Sequence, residues 1–307
     1  MILLWLCITI VIVVVLYNRI MFRLSEKRYP PDGDFVTVEG VRLHYISKGT
    51  GQPIVFLHGG VLHAHDFDEV IELAASRGYR AIAFDRPGYG HSQRPRGERV
   101  TPRTQARLIH QALQKLEIDK PILVGHSWSG LLVLTYALDY PDDAAVIVTL
   151  GGGMYPEGYP AEGGDPISTV VTTPIAGGIF MNMMLRVLGP WLAERILKET
   201  FQPEQVPEKY RLSTRHLWLR PSQFRSNRED VLVFVPTARE VMHRYREITV
   251  PLIIVVGELD PFTTKEHSYR LHRDVPRSTL IVLEQAGHMI PHLHPEDIVQ
   301  AIQSGVN

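Results

Sequence analysis

Three residues of the types needed for nucleophilic catalysis stand in this 307-residue chain at the ends of short apolar runs: Ser127 in GHSWSG, Asp260 in GELDP and His288 in QAGHM. A serine hydroxyl is a weak nucleophile at neutral pH, so it needs a neighbouring base, and the base needs a third group to orient it. Each candidate has a plainer reading. Ser127 would also serve as an ordinary helix N-cap. Asp260 would cap the helix that follows it, leaving Glu258 as the acid. His292 and His294 crowd His288, but only His288 follows the Ala-Gly pair that frees a tight loop; the other two read as surface histidines. His58, His91 and His126 read as structural or pocket-lining. The cluster His63, His65, Asp66 and Asp68 has the spacing H-x-H-D-x-D, with no second ligand cluster to complete a metal site, so neither a metal nor a cofactor is expected.

The elements around Ser127 are suited to present it. Pro121–Pro141 reads PILVGHSWSGLLVLTYALDYP, a short apolar strand running straight into an amphipathic helix. A serine at that junction can sit on a strained turn with Oγ above a sheet, while the helix N-terminus aims N–H groups and its positive dipole end at a ligand. The turn needs small neighbours. Gly125 supplies one on the near side; on the far side Ser129 stands where G-x-S-x-G would have glycine. Along the rest of the chain, FVTVEGVRLHYIS from Phe35 reads as a hairpin, and PIVFL, RAIAFD, AAVIVTL, PLIIVVG and TLIVL read as buried strands. Helical segments alternate with them, at about 66–77, 101–117, 263–274 and 295–303. Apolar strands alternating with helices predict a mostly parallel sheet covered on both faces. In such a sheet the C-terminal strand ends share one rim, where Ser127, Asp260 and His288 can converge. Between 154 and 248 the alternation stops, and a proline-punctuated helical stretch takes its place.

These pieces together resemble the α/β-hydrolase family over about Phe35 to Gln303. The motifs are His58-Gly59-Gly60, DRPGYGHS at 85–92, the GHSWSG elbow, GELD around Asp260 and AGHMIPHLHPE around His288, in the chain order serine, aspartate, histidine. The resemblance implies an α/β fold with a helical cap inserted between the sixth and seventh core strands. It implies Ser127 as nucleophile, His288 as general base and then acid, Asp260 as its orienter, and the N–H groups of Gly60 and Trp128 as an oxyanion hole. It divides the chain into a core of 35–153 and 249–307 and a cap of 154–248. The expected activity is hydrolysis of a carboxylic ester through an acyl-enzyme. Amide or carbon–carbon bond hydrolysis and perhydrolysis remain open with the same residues, as does a non-catalytic binding protein that keeps the fold.

Composition narrows the partners. With 45% hydrophobic and 21% charged residues the chain has enough apolar material for a full core and is not disordered. A net charge of −1 gives no bulk attraction to nucleic acid or anionic lipid, so any membrane contact must be local. Ile2 to Tyr17 is such a feature: an uninterrupted apolar run, extendable through Ile20, Met21 and Phe22 to the length a helix needs to cross a bilayer. No Lys or Arg precedes it and no small-x-small site follows, which argues against a cleaved signal. The expectation is a transmembrane anchor over 1–22 and a linker over 23–34. Arg19, Arg23, Lys27 and Arg28 follow the run, which puts the body on the cytoplasmic side. The single cysteine, Cys7, lies inside the run, so there is no disulfide framework. The cap's apolar content, from Met154 through Met183, Met184 and Trp191, suggests an apolar small-molecule substrate.

Overall fold

The computed structural model describes residues 1–306 except Leu62, Pro160 and Arg186; within helices the side chains of Leu3, Leu4, Cys7, Ser25, Glu26, Arg28 and Val306 also lie outside the description. The anchor readings that rest on Cys7 and Arg28 therefore fall partly outside the described residues. The chain runs α1 (Ile2–Arg28), β1 (Asp34–Val38), β2 (Val41–Lys48), β3 (Gln52–Leu57), α2 (Asp68–Ser76), β4 (Tyr79–Phe84), α3 (Pro102–Lys115), β5 (Ile122–His126), α4 (Ser129–Asp139) and β6 (Val146–Leu150). Five helices follow: α5 (Pro166–Thr172), α6 (Ala176–Met184), α7 (Gly189–Phe201), α8 (Glu208–Leu217) and α9 (Pro221–Val241). The core then resumes with β7 (Leu252–Gly257), α10 (Thr264–Asp274), β8 (Thr279–Leu283), α11 (Ile290–Leu293) and α12 (Pro295–Val306).

All eight strands form one sheet in the order β1-β2-β4-β3-β5-β6-β7-β8. The hairpin β1–β2 and the β2–β4 pair are antiparallel, and every later pair is parallel. Successive side chains of a strand point to opposite faces, and both faces of this sheet are covered. Val55, Leu57 and Leu123 pack with Leu108 and Ile109 of α3 and Leu131 of α4. Their neighbours Ile54, Phe56, Ile122 and Val124 pack with Val70 and Ile71 of α2 and Ile298 and Ile302 of α12. All five residues of β5 and of β6 are buried, so these two strands form the rigid floor beneath Ser127.

The structure departs from the sequence reading in three places. The helix expected from Asp66 begins as a 3₁₀ turn over Ala64–Phe67, with the Asp66 N–H donating to the His63 carbonyl, and becomes α-helical only at Asp68. The linker expected over 23–34 is helical through Arg28, because Leu24, Glu26 and Lys27 are good helix formers and only Pro30-Pro31 stops the helix. The apolar residues of the cap divide. Met154, Met181 and Leu185 are buried and Met183 and Met184 half-buried, whereas Ile179, Phe180, Val187, Leu188 and Trp191 are exposed, so only part of the apolar stretch forms the cap's own core.

Helix α1 packs against α6 and α8; Asn18 Nδ2 donates to the Asn182 carbonyl, and just past the helix end Tyr29 meets the His216 ring at 5.1 Å. Many apolar side chains of α1, including Trp5, Ile10, Val13 and Leu16, are exposed, whereas Val11, Val14, Val15, Met21 and Phe22 are half-buried. Among the described residues no single helix is long and apolar enough to cross a membrane, although α5 and α6 pass that test as a pair bent by 111°.

Candidate active site

Ser127 lies between β5 and α4 with φ at +53°, a left-handed value that is rare for a non-glycine residue. Such strain costs about 1–3 kcal/mol and persists only where the surroundings enforce it. Here the backbone does so on both sides. The Ser127 N–H donates to the Leu150 carbonyl at 3.0 Å, and the Ser127 carbonyl accepts from Gly130 and Gly153, each at 2.9 Å. Gly125 is obligatory, because a Cβ there would lie 2.3 Å from the Ser129 carbonyl oxygen. Ser129 replaces the second glycine of the motif without loosening the turn: its buried hydroxyl donates to the His58 carbonyl at 2.6 Å and ties the elbow to the neighbouring glycine turn.

The three candidate residues meet at the C-terminal rim of the sheet. The Ser127 hydroxyl donates to His288 Nε2 at 2.9 Å, and His288 Nδ1–H donates to Asp260 Oδ2 at 2.7 Å. His288 is 3% exposed, while Ser127 is only half-buried, so the hydroxyl is reachable and the imidazole is shielded. Asp260 also accepts from the Thr264 hydroxyl at 2.6 Å and the Phe262 N–H at 2.9 Å. Burial alone would raise its pKa, but His288 and these two donors outweigh burial and hold the carboxyl below its ordinary value. Glu258, the other candidate acid, pairs with Lys265 instead. His292 is half-buried against Phe201 and Tyr210 rather than on the surface, and His294 pairs with Asp297 and Glu204. His126 is buried and donates from Nε2 to the His288 carbonyl at 3.0 Å; burial lowers its pKa to about 3, so it braces the His288 loop as a neutral ring.

Beside Ser127 runs the turn His58-Gly59-Gly60. It approaches so closely that a Cβ on Gly59 would stand 2.9 Å from the Ser127 Cβ. Neither the Gly60 nor the Trp128 N–H finds an intramolecular acceptor among the described residues. Asn227 of α9 donates to the Gly60 carbonyl at 2.5 Å and fixes that peptide from the cap side.

Behind the turn lies a residue that the sequence reading passed over. Arg86, fully buried, donates from Nε to the His58 carbonyl at 3.0 Å and from Nη2 to the Gly59 carbonyl at 2.9 Å. Its Nη1 reaches Gln105 at 2.9 Å and Asp230 of α9 at 2.8 Å. The guanidinium is sandwiched between the rings of Tyr89 and Trp128, at 4.4 and 4.2 Å from their centroids. Asp230 accepts further bonds from Tyr89, Arg94 and Gln105. His58 stays neutral, because burial and then the Arg86 charge lower its pKa; its Nδ1–H donates to Gly59 and its Nε2 accepts the Arg86 N–H. Asp85, the first residue of DRPGYGHS, is a loop anchor that accepts from His44, the Ala64 N–H and the His91 N–H.

Aromatic side chains pack against His288 and near Trp128. Phe262 stands edge-on to His288 at 4.7 Å, and Phe234 of α9 stacks on Tyr159 at 3.9 Å and lies 6.3 Å from Trp128. A cleft of about 1110 Å³ bounded by Phe35, Arg42, His91, Arg94 and Arg225 contains none of the three candidate residues. Chemistry rather than cleft size therefore marks the site. Of the cluster His63, His65, Asp66 and Asp68, His65 pairs with Asp68 and Asp32, and no group of three side chains among the described residues is disposed to hold a metal ion.

Asp66 from that cluster carries a stability prediction. It is fully buried, and burial raises its pKa well above the ordinary value; the neighbouring Tyr210 hydroxyl and His65 only partly offset this. Above the ordinary carboxyl pKa of about 4, the folded chain keeps a proton that the unfolded chain has released, so stability falls as pH rises through that window. Asp66→Asn should remove this slope and raise the unfolding temperature at neutral pH. Thermal unfolding at about pH 5 and about pH 8 checks it, and equal pH slopes in the two chains would remove Asp66 from the account.

A strained serine turn above a doubly covered, mostly parallel sheet, with helices inserted between two of its later strands, points to a class of hydrolytic enzyme. The chain belongs to the alpha/beta hydrolase fold family, whose model matches residues 52–295. It is 28% identical over 281 residues to an uncharacterized hydrolase, YugF, of Bacillus subtilis (strain 168), covering 87% of this chain and 94% of that relative. It is 26% identical over 266 residues to a 2-hydroxy-6-oxononadienedioate/2-hydroxy-6-oxononatrienedioate hydrolase of Burkholderia vietnamiensis (strain G4 / LMG 22486), covering 83% and 88%. Among solved structures, the esterase EaEST from Exiguobacterium antarcticum superposes with a TM-score of 0.72 at 22% identity, covering 89% of this chain and 99% of that one.

Proposed function

We propose that this hydrolase is a membrane-anchored serine esterase that cleaves a carboxylic ester through an acyl-enzyme. The observation that carries the reading is the unbroken hydrogen-bond chain from the strained Ser127 through His288 to Asp260. Ser127 Oγ attacks the ester carbonyl as His288 Nε2 takes its proton, and Asp260 stabilises the imidazolium that forms. The carbonyl oxygen, now negative, accepts from the N–H groups of Gly60 and Trp128; one such donor contributes on the order of 10² to 10³ in rate. The tetrahedral intermediate collapses, the alkoxide leaves with the proton held by His288, and water repeats the sequence on the acyl-enzyme. Carbon–carbon bond hydrolysis with the same residues is the second reading, supported by the likeness to the 2-hydroxy-6-oxononadienedioate hydrolase.

Phe262 against the His288 ring, and the Phe234–Tyr159 stack that packs near Trp128, support an apolar acyl group. Each buried methylene contributes about 0.8 kcal/mol, so kcat/KM on p-nitrophenyl esters should rise on the order of tenfold for two added acyl carbons, from acetate towards hexanoate. With Ser127→Ala as the blank, a steady fall from acetate onward would remove the apolar acyl group from the reading. Turnover of a vinylogous diketone with no ester turnover would favour the second one.

Support for the anchor comes from the apolar run Ile2 to Tyr17, its helical conformation with outward apolar side chains, and the basic residues that follow it. On that reading the body faces the cytoplasm. The full chain should stay in the membrane pellet after alkaline extraction, and a C-terminal reporter should behave as cytoplasmic.

A further inference from the structure

We infer that the outward apolar face of the cap is a lipid-docking surface, seated in the bilayer interface beside α1. The inference rests on the anchor reading and adds to it where the body lies relative to the membrane. Ile167 and Val170 of α5, Ile175 at the α5–α6 corner, Phe180 of α6, and Val187 and Trp191 beyond it are all exposed while α1 is packed in place, with Ile175 82% and Val187 72% exposed. They lie within one stretch of 25 residues on α5, α6 and α7, the first two of which pack on each other, and large apolar side chains left exposed at this density mark an interaction site rather than ordinary surface.

The position of α1 names the partner. Its apolar run is first broken by Asn18 and Arg19 and ends at Phe22-Arg23, so the water-facing boundary of a bilayer falls between Asn18 and Arg23. Asn18 is 2% exposed because it is covered by α6, where its side chain donates to the Asn182 carbonyl. Phe180 is two residues from Asn182, so the exposed face of α6 stands within about one helical turn of the same boundary. Helix α7 repeats the pattern of an interfacial helix. Trp191, Arg195 and Lys198 are all exposed at i, i+4 and i+7 spacing, with Lys198 3.9 Å from Glu194, so one helix face carries an indole beside two cations, and Arg19 and Arg23 of α1 are exposed as well. Docked this way, the cap takes lipophilic esters from the bilayer rather than from water.

The test uses the full chain in nanodiscs of phosphatidylcholine and phosphatidylglycerol. Cys7→Ser removes the only cysteine, and nitroxide labels are placed one at a time by Ile175→Cys, Val187→Cys and Trp191→Cys. Val13→Cys reports on the anchor. Asp119→Cys, exposed at the opposite end of β5, is the aqueous control. The three cap labels should show an oxygen-to-nickel collision ratio about tenfold above the control, as expected for burial at the headgroup–acyl boundary. Cap labels as nickel-accessible as the control, with the Val13 label at bilayer depth, would overturn the docking surface and leave the anchor standing. A water-exposed Val13 label would overturn both. Spin–spin broadening of the cap labels that disappears on dilution with unlabelled chain would assign the face to a second copy instead.

Discussion

Ester hydrolysis by the Ser127→Ala chain should fall to the blank rate, a loss on the order of 10⁴ to 10⁶ in kcat, with the fold unchanged. The expectation follows from geometry. Ser127 holds the one hydroxyl that is bonded to His288 Nε2 and also perched on a left-handed elbow, so no neighbouring side chain can take over the attack. His288→Ala should cost as much, because residues that act as a unit do not add. Asp260→Asn should cost on the order of 10⁴ by turning the imidazole to the wrong tautomer, whereas Glu258→Gln should change little. The measurements are kcat/KM on one activated ester and labelling by a fluorophosphonate, with circular dichroism as the folding control. A tenth of the activity surviving in Ser127→Ala, or a large loss in Glu258→Gln alone, would redraw the site.

The second large effect is on stability. Arg86→Met should destabilise the protein by about 3–5 kcal/mol, because it removes one side of a fully buried ion pair and leaves Asp230 with Arg94 as its remaining guanidinium partner. Arg86→Lys should recover only part of this. A single ammonium cannot hold the His58 and Gly59 carbonyls and Asp230 together, and it lacks the planar group that stacks between Tyr89 and Trp128. Urea unfolding measures the loss. A change under 1 kcal/mol in Arg86→Met would mean that the network is replaceable by packing alone.

Much of this was legible in the sequence for identifiable reasons. Strands such as LIIVVG are buried on both faces, so they appear as unbroken apolar runs whatever surrounds them. Ser127, Asp260 and His288 each follow one of those runs, and parallel topology places such positions on one rim. Arg86 was not legible. It reads as part of a turn in DRPGYGHS, and its partner Asp230 is 144 residues away on a helix whose packing the local pattern does not fix. The choice between Glu258 and Asp260 needed the loop's conformation, since two residues of spacing decide which carboxylate meets an imidazole. Which way the cap's apolar residues face was not legible either: composition reports that a stretch is apolar, and only packing tells which of its residues are buried.

The Arg86–Asp230 pair also constrains how a substrate can enter. It joins the longest cap helix, α9, to the loop beneath the glycine turn, and Asn227 on the same helix holds the Gly60 carbonyl. Swinging α9 away would strand two buried charges and pull the glycine turn out of register with Ser127, so α9 behaves as a fixed wall. Any opening of the cap over Ser127 that keeps these contacts must therefore leave α9 in place.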